Sequence, residues 1–173
     1  MKLSTNRGVR EDLGQFEVIS GAVRVTDPCY DTSVWCSGEI KNVRNGRWSA
    51  VVVKDRSRCA CLIAFIGRTR KVDDCNWMAL DFEVGVDSGQ AGIFDSKCYE
   101  GGTDNQKWYD KCCELTLGEL GAGVIDTGCV SSSGYGDGGY VASVIKDDKE
   151  VIAIKIDFIE DEDDEDEEIG CGL

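Results

Sequence analysis

Short stretches in which apolar and polar residues alternate run along most of the chain, and they predict β-strands with one buried face. Residues 16–20 and 22–26 alternate on either side of Ser20-Gly21, which predicts a hairpin. Asn45-Gly46 lies between two further strand-like stretches within residues 39–54, and this dipeptide is a strong signal for a second hairpin turn.

The middle of the chain contains two further predicted strands and one helical pattern. Residues 59–66 form an apolar run that is long enough for an inner strand, and residues 77–84 alternate again. Thr103 is predicted to cap a helix that runs to Leu115. The face of this helix that is predicted to be buried carries Trp108, Cys112 and Leu115.

The last part of the chain again predicts strands. Residues 123–131 are predicted to form one strand, and residues 139–146 and 150–159 a hairpin that turns at Asp147-Asp148. About eight to ten short strands linked by hairpins, with one or two short helices, predict a mainly β (α+β) fold. The expected architecture is an antiparallel sandwich or a partly closed barrel.

Charge and polarity divide the chain into three predicted regions. Residues 1–14 are predicted to form a polar arm, either a short helix or a loose segment. Residues 15–159 are predicted to form a single β-rich domain, and residues 160–173 an acidic tail. Nine consecutive acidic residues occupy 160–168; without them the net charge of −14 falls to −5, from 24 acidic and 19 basic residues. Such a block of like charge is expected to stay solvated and extended.

The negative charge narrows the class of partner. It disfavours attraction to DNA or to anionic lipid and favours basic protein surfaces. The tail has two interpretations, since it either improves solubility only or engages a basic groove as a mimic of nucleic acid. In the second case the affinity would fall with added salt.

The residue types that are missing limit the possible chemistry. The sequence has no histidine, which excludes Ser-His-Asp and Cys-His catalysis and histidine metal sites. Its ten cysteines include no C-x-x-C pair, although Cys59-x-Cys61 is expected to place two thiols on one face of a strand. No secretory signal is recognisable, so we expect a cytoplasmic protein with free structural thiols. Because the sequence carries no recognisable catalytic motif, we also expect no cofactor and no enzymatic activity. Metal ligation and disulfides remain alternatives for the cysteines.

Three loops that combine aspartate with small residues are candidate sites, at residues 26–30, 86–95 and 131–140. If they cluster, their carboxylates provide oxygen ligands for a hard cation or a carboxylate pair for hydrolysis. The simpler interpretation is that each aspartate caps a turn through backbone amides while glycine supplies positive φ. The aspartates concerned are Asp27, Asp87, Asp95 and Asp137.

Aromatic residues are candidates for an exposed binding patch. Most of them are explained more simply as core or rim residues of the strands. The six candidates are Tyr30, Trp35, Trp48, Trp77, Trp108 and Tyr135.

Six segments of the chain are similar to segments of a known group of proteins. They are residues 20–30, 35–38, 45–48, 86–95, 131–140 and 151–156. In these segments and in their order the chain resembles a family of uncharacterised proteins encoded by phages and mobile elements of gut Firmicutes and related bacteria. It is also distantly similar to a domain of unknown function. The likeness covers most of residues 15–159, and it implies neither a reaction nor a functional residue.

The resemblance, the acidity and the lack of a catalytic signature together predict an inhibitor of host defence, by analogy with anti-CRISPR proteins of similar size and charge. The expected partner is a basic nucleic-acid-binding protein, with a Cas9-like CRISPR nuclease as the leading candidate. Predicted partner contacts are Glu160, Asp161, Glu162, Asp163, Asp164 and Asp166 in the tail, and Asp87, Asp95, Tyr135 and Asp137 in the loops.

Two other classes of function stay open. One is a divalent-cation-dependent ligand- or nucleotide-binding protein, or a hydrolase, that uses the loop aspartates. The other is a structural or assembly protein of a phage particle.

Overall fold

A computed structural model describes residues 8–67, 77–102 and 105–159, and in these residues two antiparallel sheets face each other as a sandwich. The six-stranded sheet contains, in spatial order, β1 (Val9–Val18), β4 (Gly46–Asp55), β5 (Arg58–Phe65), β11 (Glu150–Asp157), β10 (Gly138–Asp147) and β6 (Met78–Val86). The five-stranded sheet contains β3 (Gly38–Lys41), β2 (Ala22–Thr26), β7 (Gln90–Asp95), β9 (Gly128–Ser132) and β8 (Ala122–Ile125). The prediction of a mainly β antiparallel sandwich is confirmed, and the sheets do not close into a barrel.

Apolar side chains from both sheets meet in one core. Trp48, Leu62 and Ile154 of the six-stranded sheet pack in the same cluster as Val23 and Ile93 of the five-stranded sheet, and all five are fully buried. The indole N–H of Trp48 donates to the carbonyl oxygen of Arg44 at 2.8 Å, so the polar atom of this large core residue is satisfied. Alternation along the strands therefore supplies the two inner faces of a sandwich.

The helix α1 (Gln106–Thr116) covers the outer face of the five-stranded sheet. Trp108 and Cys112 are its buried residues, as the spacing predicts, and the Trp108 ring lies 5.1 Å from that of Phe94. The cap is Asn105, whose side chain accepts a hydrogen bond from the Trp108 amide at 3.2 Å, whereas the predicted cap, Thr103, lies outside the described residues. No helix in the described residues has the length and apolar character needed to cross a bilayer.

Both hairpins predicted in the first third of the chain are wrong. β1 pairs with β4 while β2 pairs with β3 and β7, so the chain changes sheets at Ser20-Gly21 and again between β3 and β4. The two predicted turns instead contact each other, because the Gly21 amide donates to Asn45 Oδ1 at 2.7 Å. Alternation shows that a strand has one buried face. In a sandwich the strands of both sheets bury a face in the same core, so the pattern does not tell which sheet a strand joins.

Two element boundaries also differ from the prediction. β1 begins at Val9 and pairs with β4 along its length, so part of the predicted arm belongs to the six-stranded sheet. Residues 123–131 are not one strand, because β8 and β9 form a hairpin that turns at Asp126-Thr127. The hairpin of β10 and β11 is confirmed, with Asp148 at a φ of 58° in its turn.

A β-bulge separates the two thiols that were predicted to share a face of β5. The register of β4 against β5 shifts between Val53 and Lys54, so that Cys61 and Cys59 lie opposite these two adjacent residues. Cys59 packs with Val52, whereas Cys61 packs with Val51. Neighbouring residues of a strand face opposite sides, so the two sulfurs lie on opposite faces of the sheet.

Candidate functional site

Three of the predicted loop aspartates lie at one end of the sandwich. The buried carboxylate of Asp27 accepts hydrogen bonds from the amides of Asp87 and Ser88 at 2.8 and 2.7 Å. It also accepts from the Ser88 hydroxyl at 2.6 Å and the Cys29 amide at 2.9 Å. Asp137 accepts from the Gly89 amide at 3.1 Å. The loop between β6 and β7 is therefore held on both sides by carboxylates.

Asp95 lies at the opposite end of β7 and does not join this cluster. Its carboxylate is fully buried and accepts from the amides of Ile19, Ser20 and Lys97 at 2.7, 2.9 and 3.0 Å. Backbone donors occupy its oxygens in this fold, and the partner contact of Asp95 stays a prediction. Asp27 and Asp95 both follow the simpler interpretation, in which an aspartate fixes loop amides.

The four loop aspartates do not form a cation site. Asp95 is separated from the other three, and the Asp27 oxygens are already occupied by N–H and O–H donors. Among the residues that the structure describes, no group of three or more cysteine, aspartate or glutamate side chains is arranged to hold a metal ion. The geometry thus gives the cation-dependent alternative no ligand set.

The Asp95 carboxylate predicts a specific pH dependence of stability. Burial raises the pKa of Asp95, but hydrogen bonds from the Ile19 and Ser20 amides lower it more, so its pKa lies below the usual value. A lowered folded-state pKa contributes stability above the unfolded pKa of about 4, and this contribution is lost as the pH falls through the folded pKa.

We therefore expect Asp95→Asn to flatten the loss of unfolding free energy as the pH falls below about 4, measured by urea unfolding across the acidic pH range. The matched control is Asp148→Asn at the exposed turn of β10 and β11. Equal pH slopes for wild type and Asp95→Asn would contradict the assignment of this carboxylate as an acid-sensitive anchor.

A groove of about 670 Å³ opens beside the cluster, where β6 and β10 meet the segment before β3. At its base Gly85 and Gly139 lie opposite each other in the β6–β10 pair. A side chain at Gly85 would collide with the Cys36 thiol, and one at Gly139 with the Glu83 carboxylate. The lining residues are Tyr30, Val34, Trp35, Cys36, Glu83, Gly85, Val86, Asp87, Asp137, Gly138 and Gly139.

One wall of the groove is aromatic and fixed to the sheet. The Gly85 amide donates to the Cys36 carbonyl oxygen at 2.8 Å, which anchors the backbone beside Trp35. Trp35 is 83% exposed, in contrast to the fully buried Trp48. A large indole held at the surface on an anchored segment is typical of a binding surface.

The rim of the groove is acidic. Glu83, Asp87 and Asp137 are exposed, and none of the described lining residues is a lysine or an arginine. The Tyr30 hydroxyl donates to Asp87 Oδ2 at 2.6 Å and orients that carboxylate. Burial, followed by the hydrogen bond to Asp87, raises the pKa of Tyr30, so its hydroxyl stays protonated and remains a donor at neutral pH. The arrangement suits a cationic group.

The predicted contact residues are therefore only partly brought together. Asp87 and Asp137 line the groove, whereas Tyr135 lies beside it in the loop, with its ring 4.5 Å from the Arg58 guanidinium carbon. Glu160 and the other predicted contacts of the acidic tail lie outside the described residues.

Glu83 and Gly85 were missed by the sequence interpretation. The signal that could have found them is a glycine inside a strand pattern, which often marks close approach of another group. In β6 that glycine is Gly85, and the approaching residue is Cys36.

The cysteine thiols near the site are poorly suited to nucleophilic chemistry. Burial and then the neighbouring Asp27 carboxylate raise the pKa of Cys29 to about 12, and burial raises that of Cys112 to about 12. Such thiols stay protonated at neutral pH and are weak nucleophiles. The eight described cysteines are free, and Cys75 and Cys171 lie outside the described residues.

Comparison with models of protein families, with curated proteins and with solved structures finds no match to this chain.

Proposed function

We propose that this chain is a binding protein that covers a basic surface of a nucleic-acid-binding protein and thereby inhibits it. The observation that carries the proposal is the groove, which is lined by three exposed carboxylates and the exposed Trp35. Negative carboxylates around Trp35 are complementary in charge to the lysines and arginines with which nucleic-acid-binding proteins hold phosphates.

Long-range electrostatics supports the same class of partner. The whole chain carries a formal charge of −14, of which nine charges come from residues 160–168. A field of this sign accelerates encounter with a basic surface and weakens as ionic strength rises. The tail would add attraction, while the groove would supply a contact of defined geometry.

The leading candidate for the partner is a CRISPR nuclease such as Cas9, met in the host cytoplasm. Its nucleic-acid channel is positively charged, and an acidic protein bound there would compete with the DNA. This choice comes from the resemblance to phage and mobile-element proteins and from the analogy to anti-CRISPR inhibitors. The groove itself selects for a basic surface and not for one nuclease.

Purified Cas9 loaded with guide RNA offers a direct test, with target-DNA binding measured at low and at high salt in the presence of the full chain. We expect inhibition at low salt that weakens at high salt. Glu83→Gln/Asp137→Asn should raise the inhibitor concentration needed by about tenfold, because two interfacial charge contacts of about 0.7 kcal/mol each are lost.

The matched control, Glu119→Gln/Asp148→Asn, removes the same charge from exposed positions away from the groove and should change inhibition by less than about twofold. A variant lacking residues 160–173 separates the contribution of the tail. No binding to Cas9 would remove that partner, and no binding to a panel of other basic nucleic-acid-binding proteins would overturn the proposed function.

A further inference from the structure

The groove has a shape and chemistry that select among cations. Resting on the proposed function, we propose that it receives an arginine side chain of the partner, with the guanidinium stacked on Trp35 and hydrogen-bonded to the rim carboxylates. This goes beyond attraction between charged surfaces, because it assigns the contact to one residue type and one anchor.

The indole of Trp35 is available for stacking. Its 83% exposure leaves most of both ring faces open, and no ring or cation of the described residues packs on it in an aromatic or cation–π contact. Other aromatic rings of the fold already have cationic neighbours, since Arg58 lies over Tyr135 at 4.5 Å and Lys155 over Trp77 at 5.1 Å. Tryptophan is the best aromatic partner for a cation, and arginine is the more frequent cation.

The rim keeps acceptor oxygens free for the incoming group. Glu83 is exposed at the rim, where its carboxylate lies over Gly139. Asp87 uses Oδ2 for the Tyr30 hydroxyl and Asp137 uses Oδ1 for the Gly89 amide, which leaves the second oxygen of each without a described donor. The Asp87 and Asp137 carboxylates are thus each fixed by one contact and open at the other oxygen.

Two glycines shape the base of the groove. Because neither Gly85 nor Gly139 carries a side chain, the Cys36 thiol and the Glu83 carboxylate lie close against the sheet there. A flat group can enter there with one face toward the indole and its edge toward the carboxylates. A guanidinium is planar and carries five N–H donors in a fixed fork, whereas an ammonium is a compact point charge that does not stack. The geometry therefore favours arginine over lysine.

The test uses the full chain and three short peptides of the form acetyl-Gly-Xaa-Gly-Xaa-Gly-amide, in which Xaa is arginine, lysine or citrulline. Citrulline keeps the planar shape of arginine but has no charge. Binding is followed in ¹H–¹⁵N NMR spectra through the Trp35 indole N–H and the amides of Gly85 and Gly139. We expect the arginine peptide to shift these signals with an affinity at least about threefold above the lysine peptide, and the citrulline peptide to shift them little.

Trp35→Ala should abolish the difference between the arginine and lysine peptides while leaving the thermal unfolding temperature unchanged, because the side chain is exposed. Equal binding of both peptides, or an unchanged preference in Trp35→Ala, would overturn the arginine assignment. If Trp35→Ala also inhibits a basic nuclease as well as wild type does, the proposed function stands without this contact. If no basic protein binds the full chain, the proposed function itself is overturned, whatever the peptides show.

Discussion

Replacing Asp27 by asparagine is expected to lower the free energy of unfolding by about 3–5 kcal/mol, measured by urea unfolding at neutral pH. The carboxylate is fully buried and accepts four hydrogen bonds, two of them from the Asp87 and Ser88 amides onto a single oxygen. An asparagine amide would turn its own donors toward N–H groups, so at least one buried donor would lose its partner.

The control for this prediction is Asp137→Asn, which changes the same chemistry at an exposed carboxylate with one hydrogen bond from the loop. It should cost less than about 1 kcal/mol. The Asp27 variant should also loosen the loop between β6 and β7, which holds Asp87 at the groove. Similar stabilities for Asp27→Asn and Asp137→Asn would show that the buried anchor is not what fixes this loop.

Asp157→Asn is expected to have the next largest effect, a loss of about 3 kcal/mol. Lys155 is 1% exposed on the outer face of the six-stranded sheet, and its Nζ lies 3.2 Å from Asp157 Oδ2. In the sheet it is flanked by Ile63 on β5 and Ser143 on β10. Without the carboxylate, the buried ammonium would lose its ion pair and keep, among the described residues, the Trp77 ring at 5.1 Å as a neighbour.

The double variant Lys155→Met/Asp157→Asn tests the origin of that loss. Methionine fills a similar volume beside Ile63 and needs no counter-charge, so the double variant should recover most of the stability lost in Asp157→Asn. Urea unfolding of wild type and both variants gives the comparison. A double variant less stable than Asp157→Asn would mean that the lysine stabilises the sheet by itself.

The fold class could be predicted because alternation reports burial directly. Trp48, Leu62 and Ile154 of β4, β5 and β11 join the core between the sheets. The same strands also bury apolar residues on their outer face, so they read as nearly continuous apolar runs. The partners of the strands could not be predicted in the same way, since a period of two residues does not say which sheet a strand joins. Asn45-Gly46 shows the consequence, because Asn45 is used to bind Gly21 and not to close a hairpin.

The candidate site could be predicted only where local chemistry determines it. Asp87 and Asp137 stand in turn-rich loops, and the structure brings these loops together. Full burial of Asp95 depends on donors at Ile19 and Ser20, far away in sequence, and no local pattern reveals it. The groove likewise depends on the pairing of Gly85 with Gly139, which is a property of sheet register.

The most direct test of the groove as the interface is hydrogen–deuterium exchange of the chain, alone and in complex with guide-loaded Cas9. We expect slower exchange in the complex at residues 34–36, 83–87 and 137–139, and unchanged exchange at the turn of β10 and β11. Protection confined to other surfaces, or no complex at low salt, would contradict this assignment.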